Sequence, residues 1–209
     1  MLESLKYLHD IGIAHNDIKP NNIVMSSDGV IRIIDFGSGI YFNDDEKDTI
    51  NLICSKYNNV NANLDMEYLY LRVSAFTPGF VSPDFILSSI LLNIKSNNSK
   101  EIVEIFKKIE DYAKIILSND DMAFITSLIE NRKQFIKDMF CLKKEGKTPI
   151  MFKNDIYSMG RTFLYIIDIL NVNNVLYDNT LMDLMVKMTT NTYDTRLNID
   201  DCLSHHFFN

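Results

Sequence analysis

Apolar residues along the chain recur at two different intervals, and the change of interval marks the elements. Leu2, Leu5, Leu8 and Ile11 follow helical spacing and stop at Gly12, which predicts a helix ending in a glycine cap. Ile23-Val24-Met25 and Val30-Ile31-Arg32-Ile33-Ile34 flank Ser26-Ser27-Asp28-Gly29, which predicts a β hairpin. Positions 41–66 are polar, with acidic residues clustered at Asp44, Asp45, Glu46 and Asp48, and read as a mobile loop. Helical spacing returns in Ile102, Ile105, Phe106, Ile109, Tyr112 and Ile116, and again in Ile125, Leu128, Ile129, Ile136 and Met139. Asn119-Asp120-Asp121 between them has the chemistry of a turn and N-cap, so the pair predicts a helical hairpin. From Asp155 to Leu170 the apolar residues go right round the helix, which predicts a central helix buried on all sides. Leu181, Leu184, Met185 and Met188 predict one more helix, and Asn198 caps a last short one. The sum is a mainly α fold with a small β hairpin.

Composition narrows the class. With 209 residues a single domain can bury a full core. The 46% apolar and 23% charged residues are those of an ordinary globular chain. A net charge of −7 argues against a sequence-blind nucleic-acid binder, which needs a basic face for the phosphates. Cys54, Cys141 and Cys202 are odd in number and far apart, so neither a disulfide framework nor a zinc site is implied, and a reducing, cytoplasmic compartment is expected. The apolar runs Phe85 to Ile94 and Phe163 to Leu170 are far shorter than the ~20 residues of a membrane span. Glu3, Lys6, His9 and Asp10 interrupt the N-terminus where a secretion signal needs apolar residues. Heavy use of Asn, Ile and Lys, with five Arg and no Trp, reads as the codon bias of an AT-rich genome, viral genomes included.

The polar residues with chemical potential bracket the hairpin. His15-Asn16-Asp17-Ile18-Lys19-Pro20-Asn21-Asn22 precedes it and Asp35-Phe36-Gly37 follows it. The return of the second strand brings Asp35 to the neighbourhood of Asn22, giving two oxygen ligands for a hard cation. Asp17 stands close by as an acceptor for a hydroxyl proton, and Lys19 can neutralise a phosphate.

This succession resembles the catalytic loop and metal-binding segment of the eukaryotic-type protein kinases, H-R-D-L-x-x-x-N followed by D-F-G. Small-molecule phosphotransferases of the aminoglycoside type share a looser pattern, and the downstream residues separate the two. Thr77-Pro78-Gly79-Phe80-Val81-Ser82-Pro83-Asp84 is similar to the T-P-x-Y-x-A-P-E segment that closes the kinase activation loop. Asp155-Ile156-Tyr157-Ser158-Met159-Gly160 is similar to the D-x-W-S-x-G helix start, whose Asp braces the catalytic loop. Arg196 matches the arginine that pairs with the A-P-E carboxylate, here Asp84, and Leu203-Ser204-His205-His206-Phe207-Phe208 resembles the L-x-H-P-F-F ending. Taken singly, Asp155 is an ordinary N-cap and the two histidines ordinary core-edge residues; their common order carries the resemblance.

The resemblance implies phosphoryl transfer from ATP, with Mg, to a protein substrate. Lys19 together with Thr77 is the serine/threonine-type combination. Asp17 would then take the hydroxyl proton, Lys19 stabilise the transferring phosphoryl group, Asn22 and Asp35 hold magnesium, Thr77 tie Asp17 and Lys19 to the substrate groove, and Val24 form part of the adenine pocket's floor.

Departures from the family pattern shape the remaining expectations. The sequence contains no G-x-G-x-x-G strand and no V-A-I-K lysine, so the resemblance implies a C-terminal lobe alone, with the N-terminal lobe absent. Residues 1–209 then form a single lobe: catalytic loop, metal-binding and activation segments over 1–84, a helical insertion over 85–150, central and C-terminal helices over 151–209. Such a chain is expected to be weak or inactive by itself and to look to a separate N-lobe or another kinase as partner. The alternative is a non-catalytic decoy or scaffold. Asn16 replaces the arginine that pairs with an activation-loop phosphate, which argues against activation by that route. Asp84 is shorter than the usual Glu, so a buried pair with Arg196 requires a closer backbone approach or a one-armed contact.

Overall fold

The computed structural model describes residues 1–41, 77–87, 99–113, 119–131, 150–171 and 178–208. Helix α1 (Leu2–Asp10) buries Leu2, Leu5 and His9, and Gly12 at φ 83° turns the chain out of it. Strand β1 (Ile13–Ala14) leads into the polar loop, which closes in a 3-10 turn at Pro20–Asn22. Strands β2 (Ile23–Met25) and β3 (Ile31–Ile33) form the expected hairpin, with Ile23 opposite Ile33 and Met25 opposite Ile31. Strand β4 (Ile40–Tyr41) then returns to pair antiparallel with β1. These two-residue strands are too short to show a period in the sequence.

The predicted helical pair exists as α2 (Ser99–Ala113) and α3 (Asn119–Glu130), with Asn119 opening α3 rather than preceding it. The expected loop from residue 42 onward, Ile116, Ile136, Met139, Cys54 and Cys141 lie outside the described residues. Helix α4 (Ile150–Asn171) runs through the centre, followed by α5 (Asn179–Met188), α6 (Ile199–Leu203) and a 3-10 turn at His206–Phe208. Asp178 caps α5 through Thr180 N–H, and Asn198 and Asp201 form a reciprocal capping box on α6.

Two cores flank α4. The first joins Phe106, Ile125, Leu128 and Ile129 to Val81, to Phe85, Ile86 and Leu87 of a helical turn over 83–87, and to Ile150, Met151 and Phe152. Full burial of such a side chain is worth roughly 1.5–3 kcal/mol, so α2 and α3 are part of the packing, not an appendage to it. The second joins Leu2, Leu5 and Ile18 to Ile156, Met159, Leu184, Met188, Ile199 and Cys202. Burial pushes the Cys202 thiol up to about 12, which leaves it unreactive.

One expectation is corrected. Helix α4 is buried only through its first half: Tyr165, Ile166, Ile169 and Leu170 are 37–49% exposed. Apolar residues all round a helix state what could be covered, and the second half extends past both cores. In the buried half, Gly160 permits a close approach to α5: a Cβ there would stand 2.8 Å from Met188 Cβ and Thr189 Cγ2. No helix among the described residues is long and apolar enough to cross a membrane.

Candidate active site

The loop between β1 and the 3-10 turn is held from behind by one buried carboxylate. Asp155, on α4, accepts His15 N–H and Asn16 N–H, both at 2.7 Å, and bonds His9 Nε2 at 3.1 Å. All four residues are buried, and three donors compensate the charge that burial would otherwise expose to a poor dielectric. His9 stacks on Phe152 at 4.4 Å and so joins α1 to the brace. Sequence reasoning missed His9. Its place four residues after Leu5, on the buried stripe of α1, was the available signal.

His15 fixes the other end. Its Nε2 lies 3.0 Å from Ile34 O and its Nδ1 3.3 Å from Asp17 N. A carbonyl can only accept and a backbone N–H can only donate, so Nε2 carries the proton. The ring also lies 4.8 Å from that of Phe36. One imidazole therefore sets Asp17 relative to the strand end that carries Asp35. Asn16 and Asp35 adopt φ of 62° and 65°, a region that Asn and Asp tolerate better than most residues.

Four sequence-predicted residues meet in one network. Lys19 Nζ donates to Asp17 Oδ2 at 2.7 Å and to Thr77 Oγ1 at 2.8 Å. Thr77 Oγ1 donates to Asp17 Oδ1 at 2.8 Å. Asn22 Nδ2 donates to Asp17 O at 2.8 Å and to Asp17 Oδ2 at 3.0 Å. The Asp17 side chain is only 13% exposed, because these donors enclose it. They use three of the carboxylate's roughly four lone-pair directions and leave one open to a further donor. Turning the Asn22 nitrogen onto Asp17 leaves Oδ1 as the atom that could ligate a cation.

Asp35 stands apart from the network but near it. The hairpin ladder continues with Ile34 N–H to Asn22 O at 2.9 Å, which sets Asp35 one residue past that pairing. Its Oδ1 accepts Gly37 N–H at 3.2 Å, and a Cβ on Gly37 would crowd the same oxygen at 3.1 Å. The carboxylate is exposed, and with Asn22 Oδ1 it makes an oxygen-only donor set that fits a hard divalent cation. Val24 lies two residues along β2 from Asn22 and is 38% exposed.

The segment that carries Thr77 is fastened to α4 by three hydrogen bonds. Arg161 Nε donates to Gly79 O at 3.1 Å, and Asn154 Oδ1 accepts both Ser82 N–H and Ser82 Oγ–H at 3.0 and 3.1 Å. The expected Asp84–Arg196 pair is present and fully buried, with Arg196 Nη2 3.1 Å from each Asp84 oxygen. One nitrogen astride two oxygens, in place of a two-armed fork, is what the shorter aspartate allows. Arg161 had no role in the sequence reading, since helical spacing does not reveal which loop crosses it.

A family model described as a protein kinase domain matches residues 1–208. Among curated proteins, the chain is 34% identical over 86 residues to a probable serine/threonine-protein kinase MRK1 homolog of Encephalitozoon cuniculi, covering 41% of this chain and 27% of that one. It is 42% identical over 57 residues to sperm motility kinase 2B of Mus musculus (27% and 11%) and 35% identical over 83 residues to SNF1-activating kinase 1 of Saccharomyces cerevisiae (40% and 6%). The matches thus span between 6% and 27% of these relatives' lengths.

Proposed function

The chain belongs to the protein kinase domain family, and from that premise we propose that it transfers a phosphoryl group from ATP to serine or threonine hydroxyls of a protein substrate. The observation that carries this is the network joining Asp17, Lys19, Thr77 and Asn22 by hydrogen bonds of 2.7–3.0 Å. In this reading the free lone pair of Asp17 orients the acceptor hydroxyl and takes its proton as the oxygen attacks. Lys19 provides positive charge beside the group in flight, and its bond to Asp17 keeps both in register. Thr77 locks the pair to the segment over which the substrate passes. Asn22 Oδ1 and the Asp35 carboxylate would hold magnesium, and Val24 would line the nucleotide's base. Bound magnesium ATP supplies the phosphoryl group and offsets the negative charge of its oxygens.

We further take residues 1–209 as one lobe, with 85–150 as its helical insertion. The 209 residues carry no glycine-rich phosphate loop, so transfer by this chain alone is expected to be slow. A second reading, a scaffold that binds another kinase or a separate lobe, is favoured by the apolar residues exposed around the hairpin: Met25 at 73%, Ile31 and Ile34 at 40%, Phe36 at 44%. Phosphoamino acid analysis of acceptor proteins incubated with γ-labelled ATP tests the first reading. Phosphoserine and phosphothreonine are expected; label found only on tyrosine, or on no acceptor protein, contradicts it.

A further inference from the structure

We propose that Arg161 reads an anionic side chain on the polypeptide substrate, one or two residues from the acceptor hydroxyl. The proposal rests on Asp17 being where that hydroxyl binds.

Arg161 lies on the half-buried side of α4, with Nε bonded to Gly79 O at 3.1 Å. That bond sets the guanidinium against the Thr77–Phe80 stretch, whose first residue touches Asp17 at 2.8 Å. Gly79 is two residues from Thr77, at most about 7 Å along the chain. A substrate with its hydroxyl on Asp17 therefore passes within a side chain's length of this cation.

The guanidinium is oriented but, among the described residues, not neutralised. Among the described residues it forms no ion pair, and its four remaining N–H groups have no hydrogen-bond partner. Arg196, by contrast, has every nitrogen engaged. An unpaired guanidinium fits carboxylate or phosphate through parallel N–H bonds. The surroundings favour such a pair: Tyr165, one helical turn beyond Arg161, meets Phe80 edge-on at 6.0 Å. The pair places low-dielectric aromatic surface beside the segment that Arg161 bonds, and a charge pair is stronger there than in open water. In a chain of net charge −7, a cation beside the site that no described residue compensates selects against basic flanks and for acidic ones.

The test is fluorescence anisotropy of the 209-residue chain with labelled peptides. Each carries one serine in a neutral background and Glu, phosphoserine, Gln or Lys at each of the two positions on either side. At one of those positions the Glu and phosphoserine peptides are expected to bind about tenfold more tightly than the Gln peptide. Arg161→Gln should bring that ratio to within about twofold, Arg161→Lys should retain most of it, and Arg161→Glu should invert it in favour of Lys. Glu and phosphoserine peptides compared directly tell a fixed acidic residue from a previously phosphorylated one. If Arg161 only held the Gly79 loop, its loss would weaken all peptides alike and leave the ratio intact; that result overturns the proposal. So does the absence of peptide binding by the parent chain, or an unchanged ratio in Arg161→Gln. Failure of the catalytic reading shows elsewhere, as phosphoryl transfer that is indifferent to Asp17→Asn.

Discussion

Removing Arg196 probes the joint on which placement of the Thr77–Asp84 segment depends. Its side chain is buried, and the guanidinium donates to both Asp84 oxygens, to the carbonyls of Thr190 (2.8 Å), Lys153 (3.1 Å) and Asn191 (3.1 Å), and sits 5.1 Å above the Tyr157 ring. Arg196→Ala leaves the Asp84 carboxylate fully buried beside Phe85 N–H without its cation. Breaking a buried pair on one side costs about 3–5 kcal/mol. Three carbonyls also lose their donor, at roughly 1 kcal/mol or more each where water cannot reach them. A loss of at least about 4 kcal/mol is expected, against the ~5–15 kcal/mol that holds a domain together. Urea unfolding followed by circular dichroism measures it. Replacing both partners, as Asp84→Leu with Arg196→Met, should recover more than half of the loss, because no uncompensated charge is left behind. A loss below about 1 kcal/mol for Arg196→Ala, or a double variant no more stable than the single one, refutes the reasoning.

Two further outcomes follow from particular contacts. Alanine ordinarily stabilises a helix over glycine by up to ~1 kcal/mol, but Gly160→Ala should destabilise by about 1–3 kcal/mol, since its methyl would stand 2.8 Å from Met188 and Thr189; a raised midpoint in urea contradicts this. The Asp183 carboxyl is held below its usual 3.8, first by the Lys187 bond and then by His205. A lowered folded pKa gives stability that is complete above the unfolded value and lost as pH falls through the folded one. The difference in melting temperature between the parent and Asp183→Asn should therefore shrink as pH drops from 6 to below 3, and a difference that persists there contradicts the assignment.

The site was legible where its residues are contiguous or fixed by a hairpin. Asp17, Lys19 and Asn22 lie within six positions, and a strand–turn–strand of the observed register leaves the return position of Asp35 little freedom. Thr77, 58 residues beyond Lys19, was reached only through its resemblance to a family segment; spacing alone says nothing about such a contact. His9 and Arg161 escaped because each acts through a partner more than 80 residues away in sequence. Helix existence and caps were readable from periodicity and from residues such as Asn198, whose side chain acts within its own turn. Which side of α4 finds cover was not, since that depends on where the two cores end. Nor did the spacing of Phe106 and Ile125 say that they pack with Phe85 and Phe152, a matter of tertiary partners.

The central claim, that Asp17 is the proton acceptor of a phosphoryl-transfer site, meets its most direct test in initial rates with γ-labelled ATP, magnesium and an acceptor protein, for the parent chain and Asp17→Asn. Asparagine keeps the shape and one of the two oxygens, enough for either the Thr77 bond at Oδ1 or the Lys19 and Asn22 bonds at Oδ2, and no core packing is removed, so the fold should survive, as circular dichroism can verify. General-base assistance is worth ~10²–10⁴-fold, and the rate of serine and threonine labelling, slow as it is in the parent, should fall at least a hundredfold. Equal labelling by the parent and Asp17→Asn would contradict the account.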